Sequence, residues 1–309
     1  MKKIAFLLYR EWASEIYNDI VELQKERGDF EIPVLITIEK PDIQIESLSN
    51  QTKKYVVNPS DNDKIESILR EGEIDLAIYY GWSWLVREPI LSNHICVCLH
   101  PSKLPMYRGG SPIQNQIISG ENESSITVFR MGVGLDDGPI YQQIFMSLEG
   151  EIKDIFWRMQ DTGKVITRNL ITDLINDDLF FNPQVSPENY PPCVRRKPCQ
   201  SELKLEKIEK MSFNQLNNFI RALTDPYPNA YVMLHEKKFI IRKLLKFKSI
   251  KNGQVLNECQ NSPPSSLRNC YFKLLDSYAK VSQGELINTS YGKGDDAKAR
   301  SMNIYKGLL

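Results

Sequence analysis

Apolar segments with strand-like composition alternate with segments of helical period through the first hundred residues. Strands are predicted at 3–9, 32–38, 75–80 and 95–99, and helices at 11–26 and 62–71. This alternation is typical of a parallel sheet covered by helices. The first strand is followed by Tyr9-Arg10-Glu11-Trp12 and not by Gly-x-Gly-x-x-Gly, so a dinucleotide site of the usual kind is not expected. The sequence predicts a Rossmann-like, mostly parallel α/β domain.

The later part of the chain changes character at a proline-rich stretch. Residues 182–200 contain five prolines and no sustained periodicity, which indicates a linker. Beyond it, 212–223 has helical spacing with Ser212 as a candidate N-cap, and 231–234 with 239–244 read as a hairpin. We therefore expect a large domain at 1–181, a linker at 182–205 and a smaller, mainly β domain at 206–309.

Composition sets limits on the class of protein. The chain has 309 residues, 41% hydrophobic and 25% charged, as in globular proteins. The first apolar run is broken by Arg10 and Glu11 and lacks a cleavage site, and no run approaches the ~18 residues that span a bilayer. A cytoplasmic protein is expected. The six cysteines lack the spacing of metal ligands, so we expect free thiols and no metal.

Charge is distributed unevenly along the chain. Residues 1–200 hold 21 Lys and Arg against 29 Asp and Glu, whereas residues 201–309 hold 18 against 10. The basic residues of the second part are dispersed, with Lys237-Lys238 and Arg242-Lys243 as the adjacent pairs. A basic domain without an anionic partner explains this equally well. A nucleic-acid partner is not favoured, because a polyanion calls for a concentrated basic surface.

One histidine and one acidic residue stand in two turns that each follow an apolar segment. His100 follows 95–99 and Asp136 follows 126–130. An imidazole can accept or donate a proton near neutral pH, and a neighbouring carboxylate can orient it. The alternative is a structural histidine and a turn-forming aspartate.

The residues around this pair form a long ordered pattern. It comprises His100-Pro101-Ser102, Leu104-Pro105, Tyr107-Arg108-Gly109-Gly110, Pro112-Ile113 and Asp136-Asp137-Gly138, and continues in Arg195-Arg196-Lys197-Pro198 and in residues 220–230. The pattern resembles the formyltransferase family that uses N10-formyltetrahydrofolate. The resemblance implies that His100 and Asp136 are catalytic and that the second domain is an open barrel of oligonucleotide-binding type. The family pattern Asp-x-Gly selects Asp136 over Asp137.

The resemblance also implies binding residues. The co-substrate N10-formyltetrahydrofolate is expected at Trp82, Ser83, Trp84, Leu85 and Val86 and at Val133, Gly134 and Leu135. The other substrate is expected at Arg10, Glu11, Trp12, Tyr107, Arg108, Gly109, Ser111 and Gln114. Core packing explains one of the two tryptophans in the first set equally well, and helix-start polarity is the alternative explanation for Arg10 and Glu11.

Cys98 departs from the family pattern, which places an Asn two residues before the histidine to polarise the formyl carbonyl. A thiol is a weak hydrogen-bond donor, and losing one oxyanion donor can cost about 3–4 kcal/mol. Another donor could replace the Asn, or the enzyme could be impaired. A formyl-cysteine intermediate is a third option, because alternate residues of a strand share one face. The simplest alternative is that Cys98 is a small core residue.

We expect N-formylation of the amino group of a nucleotide-linked amino-deoxy sugar, of the UDP-4-amino-4,6-dideoxy type, for surface glycan synthesis. Tyr107 to Gln114 resembles members that act in such pathways. Two alternatives stay open, a methionyl-tRNA formyltransferase and a catalytically impaired binding protein for folate or a sugar nucleotide. No membrane partner is expected, and a homodimer is one option.

Overall fold

The computed structural model describes residues 1–44, 48, 52–185, 187–208, 210–234 and 237–246, and the later strands 250–251, 254–255, 270–274, 278–282 and 285–289. The chain divides into two compact units. The first comprises Met1–Ile113, Asn122–Glu149 and Asp154–Arg195, and the second comprises Gln114–Glu121, Gly150–Lys153 and Arg196–Leu309. The predicted domain limits at 181 and 206 stay a prediction.

A seven-stranded sheet forms the centre of the first unit. Its strands are β1 (Lys2–Leu7), β2 (Phe30–Thr37), β3 (Lys53–Val56), β4 (Leu76–Tyr79), β5 (Ile95–His100), β6 (Glu123–Arg130) and β7 (Ile140–Ser147). The order across the sheet is β3-β2-β1-β4-β5-β6-β7. The first five strands pair in parallel, and β6 and β7 are antiparallel. The predicted Rossmann-like, mostly parallel α/β sheet is confirmed.

The strand order reverses between β1 and β4, which creates a switch point. In open α/β sheets, ligands bind outside the carboxyl ends of the strands that flank such a point. Residue 8 follows β1, residue 80 follows β4, and His100 ends β5. His100 and the turns after β1 and β4 therefore lie at the edge of the sheet where binding is expected.

Helices cover the sheet and bury its apolar surface. They are α1 (Glu11–Arg27), α2 (Asn62–Glu71), α3 (Ile90–Asn93) and α5 (Ile152–Ile175), and a further helix, α4 (Pro112–Ser119), follows the loop after β5. Gly28 ends α1 in the left-handed conformation, at φ 68°, and the Asp61 side chain caps α2 by accepting from the Lys64 amide. Both are the usual devices for satisfying backbone groups at helix ends.

The long helix α5 lies close to the strands that carry the candidate residues. A Cβ added at Gly163 would lie 2.5 Å from Ile16 Cδ1 and 3.2 Å from Leu99 Cδ1. The buried Tyr80 hydroxyl lies 2.9 Å from Thr167 Oγ1, which donates to the Gly163 carbonyl. This bonded polar contact fixes the helix over the ends of β4 and β5 without leaving a buried hydroxyl unpaired.

The second unit is mainly β among its described residues. Strands β8 (Tyr231–Leu234), β9 (Lys237–Lys246), β12 (Cys270–Leu274), β13 (Tyr278–Ser282) and β14 (Glu285–Thr289) form an antiparallel sheet in the order β14-β13-β12-β9-β8, and β10 (Ile250–Lys251) pairs with β11 (Gln254–Val255). The short helix α6 (Leu205–Ile208) precedes α7 (Phe213–Arg221). Ser212 caps α7, as predicted, by accepting from the Gln215 amide. Barrel closure stays a prediction.

Most predicted elements are present with small shifts at their ends. The sequence missed β3 and α3, because each has only four residues and too little apolar periodicity to be recognised. None of the helices in the described ranges combines the length and apolar character needed to cross a bilayer.

The loop between β6 and β7 leaves no space for a side chain at Gly138. The Arg130 amide donates to the Pro139 carbonyl at 2.8 Å, and a Cβ at Gly138 would lie 1.9 Å from the Arg130 oxygen. We expect Gly138→Ala to lower the free energy of unfolding by about 2–4 kcal/mol in urea titrations. Gly132→Ala in the same loop is the control, because its nearest atom would be 3.8 Å away. Equal stability of the two variants would contradict the expectation.

Candidate active site at the ends of β5 and β6

His100 ends β5, where its backbone pairs with Thr127 of β6. The side chain is buried, with 6% of the residue exposed. Its Nε2 lies 2.9 Å from the carbonyl oxygen of Tyr107. The carbonyl can only accept, so this nitrogen carries a proton when the bond is made. The tautomer of the ring is thereby set by the loop that follows the strand.

Asp136 lies opposite the other ring nitrogen. Its Oδ2 is 3.4 Å from His100 Nδ1 and accepts from the Gly109 amide at 2.8 Å. Asp136 has φ 49°, the left-handed region that Asp tolerates better than most residues. One carboxylate oxygen thus connects the turn after β6, the loop after β5 and the imidazole.

Both ring nitrogens of His100 face oxygen acceptors. The Tyr107 carbonyl meets Nε2 and the Asp136 carboxylate meets Nδ1. Because the Tyr107 carbonyl only accepts, Nε2 is held as an N–H donor in a nearly buried position, which is suited to stabilising negative charge as it develops.

Cys98 lies two residues before His100 on β5, beside Tyr79 on β4 and Phe129 on β6. Its thiol is half-buried, and its Sγ lies 3.7 Å from the Leu99 carbonyl. Desolvation, together with the charge of Asp136, raises the pKa of Cys98. The thiol is therefore the form present near neutral pH, and a thiol is a poor nucleophile.

The loop after His100 is held in an unusual conformation. Tyr107 and Ser111 have φ values of 57° and 52°, and Gly109 has φ 92°. Such values are costly for residues with a Cβ and persist only where surrounding contacts hold them. The Arg108 guanidinium supplies part of that support, since it donates to the carbonyls of Leu135 at 3.1 Å and Tyr190 at 3.0 Å.

A segment from the predicted linker lies against this loop. We call residues 182–185 and 187–195 the crossing segment. The Cys193 amide donates to the Arg108 carbonyl at 2.6 Å, and the Gly110 amide donates to the Cys193 carbonyl at 2.8 Å. A Cβ at Gly110 would lie 2.5 Å from Arg195 Cα, so Gly110 is needed for this close approach.

Aromatic side chains surround the turn after β4. Trp84 lies 5.5 Å from Trp82 and 5.1 Å from Tyr9 between ring centroids. Ser83 Oγ lies 2.7 Å from the Tyr9 hydroxyl and accepts from Arg195 at 3.2 Å. Trp82 also packs against the apolar core beneath the sheet, which agrees with a core role for one of the two tryptophans.

Several apolar side chains that the resemblance assigns to the co-substrate site are exposed. The exposed fractions are 58% for Leu85, 79% for Val133 and 53% for Leu135, whereas Val86 is buried. A Cβ at Gly134 would lie 1.8 Å from Asp137 Oδ2, so the backbone there follows the carboxylate closely. An apolar rim with backbone groups beside it suits a flat heteroaromatic ring, so these residues fit a folate.

The predicted substrate residues lie in different places. Arg10 follows β1, forms an ion pair with Asp42 and lies 4.4 Å from the Tyr9 ring centroid. Glu11 is exposed, and Trp12 stacks on Tyr80 with ring centroids 6.3 Å apart. Gln114 lies in α4 and is buried.

Sequence reasoning missed Tyr9, Cys193 and Gln184. Gln184 Nε2 donates to the carbonyls of Asp136 at 2.9 Å and Gly138 at 2.8 Å. No local signal marks a glutamine in a proline-rich stretch as part of a distant turn, so only the fold reveals it.

Within the described ranges, no three His, Cys, Asp or Glu side chains meet in a way that could hold a metal ion.

Comparison with known proteins gives a family match over the same region. Residues 22–152 match the formyl transferase family. The chain is 32% identical over 200 residues to a methionyl-tRNA formyltransferase of Lactobacillus gasseri, covering 60% of this chain and 58% of that protein. The chain spans between 46% and 58% of the length of the first curated relatives it matches.

Two solved structures share the fold. Methionyl-tRNA formyltransferase from Clostridium thermocellum has a TM-score of 0.59 and 21% identity, covering 89% of this chain and 99% of that chain. A sugar N-formyltransferase from a Shewanella species has a TM-score of 0.64 and 18% identity, covering 81% and 100%.

The family match includes His100, Asp136 and the loop between them, which are the residues that form the buried pair at the sheet edge. The turn at residues 82–86 and the residues 133–135 lie in the same range. This part of the chain is a formyl transferase domain.

Proposed function

We propose that the protein transfers a formyl group from N10-formyltetrahydrofolate to the amino group of a nucleotide-linked amino-deoxy sugar. The observation that carries this proposal is the buried His100–Asp136 pair, whose ring nitrogens both face oxygen acceptors. A preorganised donor in a dry position is the feature that acyl transfer to an amine most needs.

Bound N10-formyltetrahydrofolate supplies an activated formyl group. Transfer forms a bond between the acceptor nitrogen and the formyl carbon and breaks the bond from that carbon to N10. One proton leaves the acceptor nitrogen and one reaches N10. The residues of this chain must therefore stabilise a developing oxyanion and move one proton.

His100 is suited to both tasks. A carbonyl oxygen that replaces the Tyr107 carbonyl at Nε2 would receive the same N–H bond, which strengthens as the oxygen becomes negative. Asp136 keeps the ring oriented through its contact with Nδ1. The Gly109 amide holds the carboxylate in place, so Asp136 need not move during the reaction.

The folate would bind over the turn at residues 82–86 and the backbone at residues 133–135. The side chains of Leu85, Val133 and Leu135 are exposed and offer apolar surface to such a ligand. Burying an exposed aliphatic side chain against a ring stabilises the complex by about 1.5–3 kcal/mol. Trp82 and Trp84 pack against each other within this turn, which stabilises its conformation.

A small anionic acceptor is supported by the charges near the switch point. Arg10 and Arg195 both lie near the turn at residues 82–86. Arg10 contacts Tyr9, whose hydroxyl bonds to Ser83, and Arg195 donates to Ser83. Two guanidinium groups suit a pyrophosphate. Arg108 donates to two backbone carbonyls, which supports a role in holding the loop.

A methionyl-tRNA acceptor is the second candidate. It is favoured by the curated relatives, which carry that name at 29–32% identity. The excess of basic residues in 201–309 also fits a polyanion, although those residues are dispersed along the sequence.

The acceptor is tested by mixing the protein and N10-formyltetrahydrofolate with UDP-, GDP- and dTDP-linked amino sugars and, separately, with methionyl-tRNA. We expect release of tetrahydrofolate with one nucleotide sugar and none with His100→Ala. Turnover with charged tRNA alone would contradict the sugar proposal. Binding without turnover for every acceptor would favour a binding protein.

Substitution of Cys98 tests how the site works without the family Asn. Because the raised pKa keeps the thiol protonated near neutral pH, Cys98→Ser should retain activity within about threefold. Cys98→Asn adds an amide donor and should raise kcat by about tenfold or more. The measurement is steady-state formyl transfer with the acceptor that the panel identifies.

Alkylation provides the control for this argument. Iodoacetamide at neutral pH should modify the exposed Cys199 before Cys98, as read by mass spectrometry. Loss of more than about 100-fold in kcat for Cys98→Ser, with rapid alkylation of Cys98, would instead support a formyl-cysteine intermediate.

A further inference from the structure

We propose that Gln184 is a positioning residue that fixes the Asp136 turn and thereby the orientation of His100. The inference rests on the proposed function. It extends the site beyond the family match, which ends at residue 152. Gln184 belongs to the crossing segment, in the part of the chain that the sequence assigns to a linker.

The Gln184 amide bonds to both ends of the turn. Its Nε2 donates to the Asp136 carbonyl at 2.9 Å and to the Gly138 carbonyl at 2.8 Å. An amide nitrogen has two protons to donate, and both are used here. A flipped side chain would set an oxygen against two carbonyl oxygens, so the contacts determine its orientation.

The turn needs such support. Asp136 adopts a left-handed backbone conformation, and the loop leaves no space for a Cβ at Gly138. A non-glycine residue with positive φ persists only where its neighbours hold it. Gln184 bonds to the carbonyls on either side of Asp137, where a rotation of the peptide units would move the Asp136 carboxylate.

The crossing segment is itself anchored at both ends. Asn182 exchanges two backbone bonds with Ile140 at the start of β7, at 2.6 and 2.7 Å. Cys193 bonds to Arg108 and Gly110 on the loop after β5. Gln184 therefore reaches the turn from a backbone that is fixed to the two elements that carry the pair.

The buried side-chain oxygen of Gln184 indicates that this residue does more than fill space. Gln184 Oε1 is buried and makes no hydrogen bond among the described residues. A buried acceptor without a partner is unfavourable, and an apolar side chain would avoid that penalty. The two donated bonds that fix the turn account for a glutamine at this position.

Gln184→Met tests the inference, since methionine has similar length and no donor. The Gly109 amide donates to the Asp136 carboxylate, so its hydrogen exchange reports directly on the position of that carboxylate. We expect exchange at Gly109 to accelerate by about tenfold or more, with global protection unchanged. We also expect kcat to fall by about 10–100-fold, with the KM values within about twofold of those of the unaltered protein.

The matched control is Gln142→Met on β7, where Gln142 accepts from Asn169. It should leave Gly109 exchange and kcat unchanged. Unchanged Gly109 exchange in Gln184→Met, or faster exchange with unchanged kcat, would overturn the inference. Exchange is read without turnover, so absence of formyl transfer in the unaltered protein would count against the proposed function alone.

Discussion

The contact of the Asp136 carboxylate with both the His100 ring and the Gly109 amide is the interaction on which the rest of the site depends. The same oxygen orients the imidazole and holds the loop after β5. That loop in turn places the Tyr107 carbonyl on the other ring nitrogen. The carboxylate thus connects the ring to a loop that the Arg108 guanidinium and the Cys193 backbone also hold.

The fold explains why these groups meet. His100 ends β5 opposite Thr127 of the antiparallel β6, and the loop that follows Arg130 returns along the strand to bring Asp136 to His100. The helix α5 packs closely against Leu99 of β5 at Gly163, and the crossing segment binds the loop after β5 through the Cys193 backbone. Strain at Tyr107, Ser111 and Asp136 is held by these contacts, which is a common feature of sites that must be rigid.

The sequence predicted the parallel sheet, the His100 and Asp136 turns and the Ser212 cap, because each depends on local periodicity or turn chemistry. It could not predict Gln184 or Cys193, which act through contacts between residues far apart in sequence. The substrate-binding role predicted for Arg108 stays a prediction, and the structure adds that its guanidinium donates to the Leu135 and Tyr190 carbonyls. The sequence alone does not distinguish an arginine that binds a phosphate from one that donates to backbone carbonyls. The predicted roles of the remaining site residues stay predictions.

The most direct test of the central claim is transfer of a ¹³C-formyl label from N10-formyltetrahydrofolate to the acceptor, followed by NMR in the unaltered protein and in Asp136→Asn. Asparagine keeps the size of the side chain and removes its charge. We predict a rate at least about 100-fold lower in the variant, with folate binding and thermal stability retained. Label transfer at the unaltered rate in Asp136→Asn would contradict the claim that this carboxylate organises the site.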